Sequence, residues 1–265
     1  MRGTFAVLLA VLISAFPAKS NSTQLNDGAP FDAQTRIAGA EITKDGTVQI
    51  RFNNERSIQV PAEKGQAGRE HLQIAACGCS VGWLEVDVPV GSYSVPTTLT
   101  VYTVGKPLRH LGDGLVLLEW DFIDDDKHIQ FSSSQAHGPG TDWLSLEVHD
   151  IETGRLLKRW LERSASAAND VDLTVITGRV TGDGGVALPD TVLSIRADPG
   201  AEPFALTISD AGGHFALQGI WPGQHELRFE HPGFKTRSVK ITTTSSVESV
   251  DAGVVTLERQ PTPGK

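Results

Sequence analysis

Apolar positions along this chain recur at every second residue, in short runs broken by turns rich in glycine, proline and aspartate. Val48, Ile50 and Phe52 share one face of a run that follows Asp45-Gly46, so residues 42–52 read as strand, tight turn, strand. Residues 61–69 are polar and predict a loop. Residues 71–76 and 81–88 form a further strand pair around Gly82-Trp83-Leu84. Residues 99–104 alternate cleanly before Gly105-Lys106-Pro107 turns the chain. Residues 115–122 are apolar enough for a buried strand, and the turn Asp124-Asp125-Asp126 separates them from residues 128–131. Residues 143–150 form a strand closed by Glu152-Thr153-Gly154, and residues 156–160 predict a strand or the start of a short helix running to Ser164. Roughly eight to ten short strands are therefore expected between residues 37 and 160, at the spacing of antiparallel meanders.

The same period continues after a small polar bridge, Ser164-Ala-Ser-Ala-Ala-Asn169. Strands are expected over residues 172–180, 192–196, 205–209, 226–229, 237–242 and 250–257. The organising stretch is Ser209-Asp-Ala-Gly-Gly-His-Phe215, followed by Leu217 and the corner Trp221-Pro222-Gly223. Gly212 and Gly213 supply the positive φ that a tight hairpin needs. Phe215 and Leu217 alternate inward, as do Leu227 and Phe229 beyond the corner. Pro222-Gly223 suits a type II turn.

Composition supports an all-β chain. Gly 27 and Pro 14 against Met 1 favour turns and short strands over helices, and 265 residues hold one large domain or two small ones. The first twenty residues read as a processing signal: Arg2, an apolar stretch over residues 5–16, and Ala18-Lys19-Ser20 as the cleavage site. That stretch is too short to span a bilayer comfortably, and no later segment is apolar enough, so no integral membrane segment is expected after cleavage. No cysteine sits near the cleavage point and there is no twin arginine, so neither a lipid anchor nor that export route is suggested. Loss of Arg2 and Lys19 takes the formal charge from −9 to −11. An acidic surface argues against nucleic acid and anionic membranes as partners.

Candidate chemistry is sparse. Cys77 and Cys79 are the only cysteines, and three readings are open: free, partly buried thiols, a strained bridge, or half of a soft-metal site. Asp124, Asp125 and Asp126, with Asp121 and His128, crowd one turn. Calcium is conceivable there, although a solvated hairpin tip is preferred. His149 and Glu152 have His-x-x-Glu spacing, but on a strand and turn, where a surface turn with both side chains facing solvent is preferred over zinc. No His-Glu-x-x-His, Gly-x-Ser-x-Gly or phosphate-cradling loop occurs, so no residue is assigned as catalytic and no cofactor is expected. The most site-like group is His137, in His137-Gly-Pro-Gly140, with Trp143 and Trp120, a possible sugar-stacking or peptide-binding face. The alternative places both tryptophans in the core. Trp221 either caps the C-terminal sandwich or presents its ring at an interdomain groove.

Two resemblances organise these pieces. Gly178-x-Val180, Ala187-Leu-Pro189, Ser209-Asp210-x-Gly-Gly-x-Phe215, Trp221-Pro-Gly223 and Pro232-Gly-Phe234 come in the order found in the carboxypeptidase regulatory-like domain; Ser209 stands where family members often have Thr. That resemblance implies a seven-stranded transthyretin-like β-sandwich, an accessory module in enzymes that carry it, with a fold shared by carbohydrate-binding modules. More weakly, residues 146–157, with the turn Asp150-x-x-Thr153-Gly154, resemble the outer strands of a propeller blade. Residues 101–108 echo them roughly 48 residues earlier. The expected layout is a signal peptide over 1–20, a loose leader over 21–36, a β-rich blade-like domain over 37–163, a linker over 164–171, the sandwich over 172–258 and a tail over 259–265. The expected protein is exported to the periplasm or beyond and non-enzymatic, binding envelope polysaccharide or another envelope protein. The alternatives are an accessory subunit of an exported peptidase and a hydrolase using the N-terminal domain.

Overall fold

The computed structural model describes residues 33–87, 94–112, 114–134, 143–163, 172–198, 200–245 and 248–261. The signal, most of the leader and the 164–171 bridge lie outside the described residues.

Strands β1 (Ile37–Ile42), β2 (Val48–Phe52) and β3 (Ser57–Val60) form a small antiparallel sheet, and Gly46, at φ 81°, makes the turn that Asp45-Gly46 predicts. Next come β4 (Gln66–Ile74), β5 (Ser80–Asp87), β6 (Pro96–Thr103) and β7 (Arg109–Leu111), an antiparallel four-stranded meander in chain order. A second meander follows: β8 (Val116–Ile123), β9 (His128–Ser134), β10 (Trp143–Asp150) and β11 (Leu156–Arg163). The two blade-like stretches fall at the same place in the two meanders, the connection from third to fourth strand. Leu156–Arg163 is strand, with no helical turn among its described residues, because its residues pair with β10 along its length. β4 begins inside the stretch expected as a loop, since Gln66, Gly68 and Arg69 pair with β5.

The C-terminal half is a seven-stranded sandwich. β12 (Thr174–Thr181), β15 (His214–Ile220) and β18 (Ser249–Thr256) form one sheet, in the order β15-β12-β18. β13 (Val192–Arg196), β14 (Pro203–Ile208), β16 (Gly223–Glu230) and β17 (Arg237–Thr243) form the other, in the order β17-β16-β13-β14. The inner positions fill one continuous core that includes Ile176, Leu193, Ile195, Ala205, Leu217, Leu227 and Phe229. Gly213, at φ 77°, lies so close to the Val180 carbonyl that a Cβ there would collide with it.

β14 also pairs with β11 at Arg159↔Leu206, so the second meander and one sandwich layer make a single eight-stranded sheet, β17-β16-β13-β14-β11-β10-β9-β8. β15 crosses the same junction. Gly219, at φ 73°, faces the Leu161 backbone, and a Cβ there would stand 2.5 Å from its nitrogen and oxygen. Arg159 completes the joint. It grips Glu147 at 2.6 Å and donates to the Pro203 carbonyl at 3.0 Å, while His149 Nε2 meets the other Glu147 oxygen at 2.7 Å. Burial pushes the Glu147 carboxyl up, but the hydrogen bond from His149 and the charge and hydrogen bond of Arg159 together outweigh it. The group therefore sits below the ordinary carboxylate value.

Candidate binding site

The outward positions of the sandwich's larger sheet alternate with its core positions, and they carry polar and aromatic side chains. Ser194 and Arg196 on β13, Phe204 on β14, Glu226 and Arg228 on β16, and the corner Trp221-Pro222 line a half-open groove of about 570 Å³. Trp221 stacks on Phe204, with ring centroids 4.6 Å apart and planes 17° apart, and His225 stands edge-on to Phe204 at 6.3 Å. Trp143, at the start of β10, meets Trp221 edge to face at 6.5 Å. An aromatic row thus runs across the junction between the two halves. His225 Nε2 and the Thr243 hydroxyl both bond the Trp221 carbonyl, at 2.8 and 2.7 Å, which fixes the corner.

The groove also holds two unpartnered polar atoms. Ser194 is 2% exposed and its hydroxyl has no hydrogen-bond partner; Arg196 Nε is likewise buried and unpaired. Only four such side-chain atoms occur among the described residues, the others being Arg69 Nε and Ser133 Oγ, so two of the four belong to this groove. A buried hydroxyl or guanidinium N–H left unpaired carries a desolvation cost that a ligand oxygen would relieve.

The structure distributes the sequence-derived residues unevenly. Trp143 and Trp221 come together. Trp120 does not join them: it is 5% exposed, its indole lies over Gly82, where a Cβ would come within 2.7 Å of the ring, and its Nε1 donates to the His71 carbonyl. Trp120 is a core residue: its ring lies on the bare Gly82 backbone and meets Phe122 edge to face within the cluster that includes Leu99 and Leu117. His137 lies outside the described residues. His149 corrects the expectation of a solvent-facing His and Glu pair. It is 8% exposed, stacks on Phe131 and bonds Glu147, whereas Glu152 is exposed and reaches Lys106.

Cys77 and Cys79 are joined by a disulfide, in a turn where the Cys77 N–H donates to Asp126 at 2.7 Å. Asp124, Asp125 and Asp126 all have positive φ at a hairpin tip, and Asp124 bonds His128 at 2.8 Å. Among the described residues no three His, Cys, Asp or Glu side chains converge to hold a metal. Sequence reasoning missed Phe204, His225, Ser194 and Arg196. The outward parity of Phe204, Ser194 and Arg196, opposite Ala205, Leu193 and Ile195, is the signal that locates those three; His225 shares the inward parity of Leu227 and Phe229 and reaches the groove only through its bond to the Trp221 corner.

Residues 175–258 match the model of the carboxypeptidase regulatory-like domain. The class so defined is a binding or interaction module built on a β-sandwich, and the groove lies within it. No curated protein matches the chain. Among solved structures it is similar to 3-chlorocatechol 1,2-dioxygenase from Rhodococcus opacus 1CP, at 13% identity over 35% of this chain and 62% of that one, with a TM-score of 0.26. Hydroxyquinol 1,2-dioxygenase from Pseudomonas putida DLL-E4 stands at 13% identity over 36% and 59%, with a TM-score of 0.28. The Bacillus anthracis TIE protein stands at 9% identity over 87% and 39%, with a TM-score of 0.25. The chain spans about three fifths of the length of the two dioxygenases. Scores this low leave the groove to be read from its own residues.

Proposed function

We propose that this protein is an exported, non-enzymatic glycan-binding protein of the cell envelope, with the groove at Trp221 as its binding site. The observation that carries the reading is the pairing of an aromatic platform, Phe204 and Trp221, with the unpartnered Ser194 hydroxyl and Arg196 Nε in one groove. Sugar rings present apolar C–H faces to aromatic rings and hydroxyl oxygens to donors, and a groove of this composition suits both. Export is supported by Arg2 and the apolar stretch over residues 5–16. The large apolar residues that are exposed among those described, Ile74, Leu118, Val186 and Val254, sit on separate elements, which does not favour docking onto a peptidase. The His149–Glu147 pair is buried and gripped by Arg159, which does not favour hydrolysis there.

The test is tryptophan emission and acrylamide quenching of the mature protein against a panel of envelope polysaccharides. A binding glycan shifts the emission and shields part of the signal, and Trp221→Ala abolishes both responses. If no glycan alters the emission or quenching of the wild-type protein, the reading is wrong, and a protein partner from the envelope takes its place.

A further inference from the structure

The groove does not stop at β16. On the far side of that strand, Gln224, His225 and Glu226 also line a second depression of about 300 Å³, shared with Lys240, Ile241 and Thr242 of β17. Three residues are common to both, so the two hollows flank one ridge. The pairing is direct, with Glu226 opposite Lys240 and Gln224 opposite Thr242. Outward side chains from β14, β13, β16 and β17, neighbours in that order, therefore line a single track running across the strands. With neighbouring strands about 4.8 Å apart, four strands span on the order of 14 Å, more than one sugar ring covers.

The charges along the track alternate in sign. Arg196, Arg228 and Lys240 stand among Asp198 and Glu226. A polyanion would meet the two carboxylates, and a polycation the three bases. An uncharged chain rich in hydroxyl groups satisfies donors and acceptors alike. We infer that the track takes an extended, uncharged polysaccharide chain laid across β14, β13, β16 and β17, with the Phe204–Trp221 platform at one end and the Glu226–Lys240 pair at the other. This rests on the glycan-binding reading above and adds the length and charge of the ligand.

The experiment uses the mature protein on an array of neutral and acidic oligosaccharides of graded length, from monosaccharide to hexasaccharide, followed by titration calorimetry of those retained. A neutral series should gain affinity with each ring until the track is filled, by on the order of tenfold from disaccharide to the longest member. That gain should persist between roughly 50 mM and 500 mM sodium chloride, because no net charge is neutralised. The double variant Lys240→Ala, Thr242→Ala, both exposed positions, should melt like the wild type and lose about tenfold in affinity for the hexasaccharide. Three outcomes overturn the inference while the glycan reading stands: a disaccharide that binds as tightly as the hexasaccharide, a hexasaccharide affinity unchanged by the double variant, or retention of acidic sugars alone, weakening with salt. Absence of binding by every sugar on the array overturns both.

Discussion

The two halves of this molecule are held together in different ways. The C-terminal sandwich has one apolar core, continuous from Ile176 to Leu257, and most of its buried polar groups are short hydroxyls tied to nearby backbone, such as Ser209 to the Leu188 carbonyl. The N-terminal half divides its apolar residues among three separate clusters. Between them it buries charge. Arg69 donates to the Val60 and Pro61 carbonyls, lies over the Trp83 ring and faces Glu85, and Glu147 is gripped between Arg159 and His149. The buried guanidinium groups bind carbonyls at strand ends, Val60 and Pro61 for Arg69 and Pro203 for Arg159, as well as carboxylates. Charge stands in for volume there.

That contrast can be broken most sharply at the joint. Arg159→Ala leaves Glu147 buried without its cation and frees the Pro203 carbonyl; a loss of about 3–5 kcal/mol is expected by urea denaturation. Phe229→Ala in the sandwich core should cost a similar 3–5 kcal/mol through the cavity it opens. The two should differ in pH dependence, with the loss in Arg159→Ala shrinking in acid as Glu147 protonates and the loss in Phe229→Ala holding constant. Equal pH profiles would remove the distinction between the halves.

Gly219→Ala tests the seam itself. A left-handed backbone and a Cβ 2.5 Å from the Leu161 backbone predict a loss on the order of 2 kcal/mol, read from the same denaturation curves. A smaller effect is expected from acid alone. Because the folded Glu147 carboxyl sits below its ordinary value of 4.5, its contribution is complete above that pH and is lost as pH falls through the folded value. Unfolding free energy followed from pH 7 to 3 should therefore decline below about 4.5, and Glu147→Gln should flatten part of that decline. Least of all, Lys235→Ala, which breaks an exposed pair with Glu258, should leave the melting midpoint unchanged.

The sandwich was legible because each of its signals is local. The Asp210-Gly212-Gly213 turn, the inward parity of Phe215, Leu217, Leu227 and Phe229, and the Pro222-Gly223 corner all appear within a few residues of the structure they cause. Strand parity in the N-terminal half was legible for the same reason. The pairing of β11 with β14 was not, since Arg159 and Leu206 are far apart in the chain and neither has a pattern naming the other. Half of the aromatic row was visible as Trp143 and Trp221. Phe204 escaped because the run beginning at Ala205 reads as a strand without it, and Ser194 and Arg196 because their lack of partners is a property of three dimensions.

The pairing of β11 with β14 bears on how this protein can be divided. A fragment starting near residue 172 would keep the family-matched sandwich but strip β14 of its neighbour, removing the Arg159↔Leu206 pair and opening the sheet edge beside Phe204, Leu206 and Ile208. Such an uncapped, apolar border is a template for self-association. Strand β11 is thus a protective cover for the sandwich, and a shortened protein would be expected to find a substitute in its own copies.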